Sequence, residues 1–323
     1  MKRVLAAGCM FATMIAVAVA QPYPSRPITM VVPFGAGGPT DALARIVAQR
    51  MSTALGQTVL VENVTGASGT VGISRVVRSA PDGYTIILGN WPAFVVASMT
   101  NTISYDVLAD FEPIAQMPNN PYIVVSKNDL PAKDLKELVA YLKANPGKVS
   151  VGTGGAGTGQ HVSGVYFQKA TGTDFNFVPY RAGSSNVMRD LVAGHIDLTF
   201  DQAISALPFV RNGQVRAYAV TAKTRLSSAP DIPTVDEAGA PGVYISTWFG
   251  LWAPKGAPAE ALTRLSAAAL EALADPAVSK RLIDLGQEIP PADQQTPAAL
   301  SALLKAEMDK WGPIIRGAGI KAE

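Results

Sequence analysis

The sequence predicts an α/β protein of two lobes, each built on a doubly wound, mainly parallel sheet, with a hinge of two crossing strands between them. Three observations carry this expectation. Short β-branched runs alternate with amphipathic helical stretches from Ile28 to Thr221. The alternation occurs twice, on either side of Met117-Pro118-Asn119-Asn120-Pro121. The tail is purely helical, and amphipathic helices need a sheet to cover, so the chain is expected to return to its first lobe. Residues 21–118 and 233–323 then form lobe 1, and residues 119–232 form lobe 2. Two lobes joined by two strands make a hinged clamp.

Ile28 to Val32 is a short apolar run suited to a strand covered on both faces. Leu43, Ile46, Val47, Met51 and Leu55 follow at helical spacing. Thr58 to Glu62 reads as the next strand, a helix runs through Ile73, Val76 and Val77, and Tyr84 to Leu88 is a third strand ending at Gly89-Asn90-Trp91. In such a sheet, ligands lie outside the carboxyl ends of the strands. Glu112 to Gln116 and Tyr122 to Ser126 are two extended segments marking the crossing into lobe 2. There a helix near Leu135 to Leu142 precedes strands Val149 to Gly152, Phe175 to Pro179, Ile196 to Phe200 and Val215 to Thr221, with helices between them. A strand from Tyr244 to Trp252 leads back. Leu262, Leu265, Ala269 and Leu273 form one helical stripe of the tail, and Leu300, Leu304, Met308, Trp311 and Ile315 another.

Met1 to Ala20 has Lys2 and Arg3, an apolar run from Val4 to Val19, and the small-residue ending Ala18-Val19-Ala20. That is the layout of a secretory signal peptide cleaved near Ala20, and the run is short for a membrane anchor. Export to the periplasm is expected. The only cysteine, Cys9, lies in this segment, so a lipoprotein reading stands beside cleavage, whereas a disulfide framework or thiolate metal site in the mature chain is excluded. With Lys2 and Arg3 gone, 27 basic residues become 25 against 25 acidic ones. A formally neutral chain without a clustered basic face offers nothing to nucleic acid.

Three turns between a strand and a helix concentrate the binding chemistry: Gly35 to Thr40, Gly66 to Thr70, and Gly154 to His161. None contains Lys, Arg, Asp or Glu. Their donors are backbone amides and hydroxyls, and Gly38 followed by Pro39 suits the start of a helix whose positive end attracts an anion. Asp41 in that first turn uses part of the field itself. No phosphate-loop lysine, Gly-x-Ser-x-Gly elbow or cysteine nucleophile is present, and His161 and His195 are too far apart for a helical zinc motif. No cofactor or metal is expected. Asp201, at a strand end, suits either a hydrogen bond from a ligand amine or hydroxyl or the capping of the next helix. His161 suits ligand contact or packing, Arg181 ligand contact or solvation, and Phe34 and Trp91 an apolar wall or core. A secreted α/β enzyme using His161 and Asp201, and a carrier of apolar ligands, remain as alternatives.

The ordered set Tyr23-Pro-Ser-Arg-Pro-Ile28, Val32-Pro-Phe-Gly-Ala-Gly-Gly-Pro-Thr-Asp-Ala-Leu-Ala-Arg45, Glu62-Asn-Val-Thr-Gly-Ala-Ser-Gly-Thr-Val-Gly72, Pro81-Asp-Gly-Tyr84, Gly152 to His161 and Val178-Pro-Tyr-Arg-Ala-Gly183 resembles the Bug family. These are periplasmic solute receptors of tripartite tricarboxylate transporters. The resemblance spans nearly the whole mature chain. It implies a periplasmic-binding-protein (Venus-flytrap) fold, capture of a small, often carboxylate-bearing solute by main-chain groups and waters, and delivery by a monomer to an inner-membrane transporter or a sensor. Carried over by motif, it points to Phe34, Gly35, Gly37, Gly38, Ala67, Ser68, Gly69, Thr70, Gly155, Thr158, His161 and Asp201 as ligand-binding residues. Ser68 stands where the family commonly has another glycine.

Overall fold

The structure, a computed structural model, describes residues 22–180 and 185–320. The first lobe opens with β1 (Ile28–Val32), α1 (Pro39–Leu55), β2 (Val59–Asn63), α2 (Thr70–Val77) and β3 (Thr85–Asn90). β1 pairs in parallel with both β2 and β3, Val31 lying beside Glu62 on one side and Ile87 on the other. This is the right-handed strand-helix-strand arrangement that places the β1–α1 and β2–α2 turns and the end of β3 on one edge. A π-helical turn, Pro92–Val96, then runs into the short helix α3 (Ala97–Thr100). The sequence pattern did not anticipate this segment, since it is apolar all round and lacks helical periodicity; Trp91, Phe94 and Val95 are fully buried there.

The crossing to lobe 2 is one strand, β4 (Phe111–Ser126), rather than two. Pro118 and Pro121 cannot donate to a ladder, and the register shifts between Gln116 and Asn119. A reciprocal backbone bridge between Asn119 and Glu288 holds the bulge from the side. The C-terminal part of β4 pairs with β7 (Leu198–Gln202) and β8 (Arg216–Val220). β5 (Ser150–Thr153) lies parallel between β6 (Asn176–Pro179) and β7. Helices α4 (Leu135–Ala144), α5 (Gly159–Thr171), α6 (Ser185–Val192) and α7 (Ala203–Arg211) complete this lobe. The second crossing is β9 (Ser246–Pro254), antiparallel to both β3 and β4. The strands therefore form one continuous curled sheet in the order β2-β1-β3-β9-β4-β7-β5-β6, with β8 also on β4.

Residues 233–245, expected in lobe 1, hydrogen-bond to lobe 2: the Val235 amide donates to Val220 and the Ile245 amide to Thr221. The tail helices pack against the opening strand-helix-strand unit and the two crossing strands. Helix α8 (Ala259–Ala274) packs on α1, burying Leu265, Ala269 and Leu273 beside Val47 and Met51. Arg50 ties the two by ion pairs to Glu271 and to Asp275, which caps α9 (Pro276–Asp284). Helix α10 (Pro297–Gly317) covers the other face through Leu300, Leu304, Trp311 and Ile315. Fully buried aliphatic side chains such as Ile28, Met30 and Val32 each contribute about 1.5–3 kcal/mol.

Candidate functional site

A cleft of about 680 Å³ lies at the carboxyl ends of the strands, with walls from both lobes. On one side stands the β1–α1 turn. Glycine is required at Gly37, where φ is +80°. Asp41, almost fully buried, holds the turn together. Its Oδ2 accepts from the Gly37 amide at 2.8 Å and from Arg45 Nε at 2.9 Å, and its Oδ1 accepts from Asn63 Nδ2 at 3.0 Å. Asn63 Nδ2 also donates to the Phe34 carbonyl. Burial alone would push the Asp41 carboxyl up, but the Arg45, Gly37 and Asn63 hydrogen bonds outweigh it and hold it below the usual carboxylate range. Phe34, Gly35 and Gly38 line the cleft, as do Pro39 and Thr40 at the N-terminus of α1.

On the opposite side stands the β5–α5 turn. Thr158 caps α5: its Oγ1 donates to the Gly155 carbonyl at 2.8 Å and accepts from the His161 amide at 3.4 Å. Gln160 Oε1 accepts from the Gly154 amide. Gly159 takes the Tyr122 hydroxyl where a Cβ would be, so the start of α5 rests directly on the hinge strand. The first N–H groups of any helix lack intrahelical partners. The cleft is therefore faced from opposite lobes by two helix N-termini, those of α1 and α5, each worth about half a positive charge. Among the described lining residues there is no Lys or Arg.

Asp201 lies at the carboxyl end of β7 on the cleft floor. It is 3 % exposed, and its Oδ1 accepts from the Gln202 amide at 2.8 Å, while Oδ2 has no hydrogen-bond partner. Burial pushes its carboxyl up to about 7, against the lowering pull of the Gln202 amide and the neighbouring Gln160 amide group. Gln160 Nε2 and Gln202 Oε1 are likewise buried and unpartnered. Such a concentration of unsatisfied polar atoms on one floor is costly unless something polar occupies the space.

Of the residues expected from sequence, Phe34, Gly35, Gly37, Gly38, Ser68, Thr158 and Asp201 line the cleft. The remaining five shape its turns. Ala67 and Ser68 adopt φ of 44° and 56° between Gly66 and Gly69, which are also left-handed. Gly69 fits against Ala93 and Pro33, and the Thr70 hydroxyl donates to the Ala67 carbonyl. Gly155, at φ +105°, bends the third turn. The His161 ring packs on Phe177 at 4.6 Å between centroids, and its Nδ1 accepts from the Gly157 amide; burial lowers its pKa. It is not among the cleft-lining residues, so His161 and Asp201 do not meet there. Trp91 is fully buried against Trp311, leaving Phe34 alone of that pair in the cleft wall. Arg181 lies outside the described residues.

Sequence reasoning did not single out Asn90, Tyr122, Met188, Gln202, Ser205 or Phe209 as lining residues. Asn90 had a signal, its place at the end of a strand on the binding edge: its Nδ2 donates to Thr40 Oγ1 and its Oδ1 accepts from the Ala93 amide. Tyr122 had none, because only the path of β4 brings it under α5.

Residues 43–320 match the family model described as "Tripartite tricarboxylate transporter family receptor". The chain belongs to that family. BugT of Bordetella pertussis is 34% identical over 304 residues, covering 94% of this chain and 92% of BugT. Among solved structures, MatC from Rhodopseudomonas palustris with bound malate is 35% identical, with a TM-score of 0.81, and the match covers 91% of this chain and 100% of MatC. Rpa4515 from R. palustris with adipate is 32% identical, with a TM-score of 0.84, over 93% of this chain and 99% of that one. The protein is thus a solute-binding receptor of a family whose members are periplasmic binding proteins, with their two-lobed fold. Among its described residues, no helix is long and apolar enough to cross a membrane.

Proposed function

We propose that this receptor closes over a small organic anion whose carboxylate sits between the N-termini of α1 and α5, and that it delivers this solute to a tripartite tricarboxylate-type transporter or a sensor. The observation that carries the reading is the pair of helix ends facing one cleft from opposite lobes without a lining Lys or Arg. Backbone N–H groups of Gly35, Thr40, Gly159 and Gln160, the hydroxyl of Ser68, and bridging waters supply the donors, while the Thr158 hydroxyl is committed to the Gly155 carbonyl and shapes the turn. Charge-assisted bonds of this kind contribute roughly 1.5–3 kcal/mol each, so three or four offset the cost of association and give about micromolar affinity. Because each lobe supplies one donor set, the anion holds the closed state, and closure depends on the ligand.

Asp201 narrows the ligand further. Its unpartnered Oδ2 calls for a polar partner, a hydroxyl when the carboxyl is protonated and a hydroxyl or amine when it is ionised, so the solute carries one of these groups as well as a carboxylate. MatC, with its hydroxy-dicarboxylate malate, supports that reading more directly than the adipate of Rpa4515 does. The test is a thermal-shift and calorimetric comparison of unfolded-and-refolded protein against hydroxy, amino and unsubstituted mono- and dicarboxylates and their amides. A ligand at 100 times its Kd stabilises the fold by about 2.7 kcal/mol. Acids bearing a hydroxyl or amine are expected to bind, with their amides at least about tenfold weaker. Binding of amides as tight as that of the acids would refute the anion clamp.

A further inference from the structure

A second cavity, of about 590 Å³, shares no lining residue with the cleft. It lies on the rear face of the hinge. Successive side chains of a strand point to opposite faces. On β9, the Thr247 hydroxyl meets the cleft residue Tyr122 at 3.0 Å, whereas Ser246 and Trp248 point into the rear cavity. One wall is the segment after β8, Thr221 to Thr224, with Tyr244; the other is the face of α10 carrying Glu307, Lys310 and Trp311.

Its polar groups are sorted by charge. The floor presents acceptors without partners: Asn119 Oδ1 and Ser246 Oγ are buried and make no hydrogen bond, and Glu288 lines the same floor. Burial raises the Glu288 carboxyl, with only Thr224 pulling the other way. Glu307 is held in place by two indoles, its Oε2 accepting from Trp311 Nε1 at 2.9 Å and from Trp248 Nε1 at 3.3 Å. The rim carries the cations. Lys310 sits 4.7 Å over the Trp311 ring and donates to the Tyr244 carbonyl, and Lys223 lies 5.5 Å over the Tyr244 ring. Acceptors below and ammonium groups above match a molecule charged in the opposite sense at its two ends.

We propose that the rear cavity is a second binding site, for a small zwitterion whose ammonium group enters towards Glu288, Asn119 and Ser246 while its carboxylate stays at the rim with Lys223 and Lys310. The two indole N–H groups bonded to Glu307 report on it directly. In protein labelled with 15N-tryptophan, γ-aminobutyrate, 6-aminohexanoate and glycylglycine are titrated, with butylamine and hexanoate as singly charged controls. At least one zwitterion is expected to shift the Trp248 and Trp311 indole signals saturably, and the controls at least about tenfold more weakly. Glu288→Gln is expected to weaken that zwitterion about tenfold. Gly35→Trp, which fills the front cleft at a position where a side chain meets nothing within 4 Å, is expected to leave it unchanged. The inference is overturned if no zwitterion gives a saturable shift, if the singly charged controls bind as well, if Glu288→Gln has no effect, or if Gly35→Trp abolishes the response.

Discussion

Asp201→Asn tests the electrostatics of the cleft floor without needing the ligand's identity. An ordinary aspartate titrates near 3.8, whereas burial pushes Asp201 to about 7. Between those values the folded ligand-free protein binds a proton that the unfolded chain does not, so stability falls as pH rises through this window. At about 1.4 kcal/mol per pH unit, the full window is worth about 4 kcal/mol, and relaxation of the open cleft reduces this to about 2–4 kcal/mol. Asparagine keeps the shape and cannot ionise. Urea unfolding of refolded, ligand-free protein at pH 5 and pH 8 is expected to show wild type losing about 1–2.5 kcal/mol relative to the variant, since part of the window lies below pH 5. The comparison with the variant matters because Glu288, also raised by burial, slopes the same way, and His161, lowered by burial, slopes the opposite way. Parallel pH profiles for the two proteins would refute the reasoning. If the bound solute carries an amine, Asp201 ionises on binding, and calorimetry in two buffers at pH 6 should detect about one proton released in wild type and none in the variant.

Three further outcomes follow from the turns. Asp41→Ala removes three hydrogen bonds from the β1–α1 turn; it should cost about 2 kcal/mol in denaturant unfolding and weaken solute binding by more than that loss of stability explains. Gly159→Ala drives a methyl into the Tyr122 hydroxyl and towards Pro92; a cost of about 1–3 kcal/mol with impaired closure by small-angle scattering is expected, and unchanged stability would show that α5 does not rest on the hinge. Ala67→Gly relieves a left-handed alanine at φ 44°, which costs about 1–2 kcal/mol, against about 0.5–1 kcal/mol of extra chain entropy for glycine. Its melting temperature should match or exceed that of wild type, and a fall would place the strain elsewhere.

The sequence alone determined the alternation of strands and helices, the two-lobed plan and the three glycine turns, because these depend on local periodicity and on residues with special backbone freedom. Phe34, Gly35, Gly38, Ser68 and Thr158 were legible for that reason: each lies in a turn between a strand and a helix, and parallel sheets put such turns on one edge. The tertiary structure decided what each residue does there. Gly37 and Asp41 bond to each other, so that amide is not free for a solute; His161 turns onto Phe177 because the cap at Thr158 sets the start of α5; and Trp91 is drawn into the core by α10. Tyr122, Gln202 and Phe209 carry no local signature, and only the passage of β4 beneath α5 and the start of α7 brings them to the floor. The same holds for β4 itself. Two prolines read as a break in a local pattern, yet Pro118 falls at the bulge and pairing with β9 resumes from Asn119 to Pro121 before β7 takes up the other side at Tyr122, because long-range ladders outweigh local propensity.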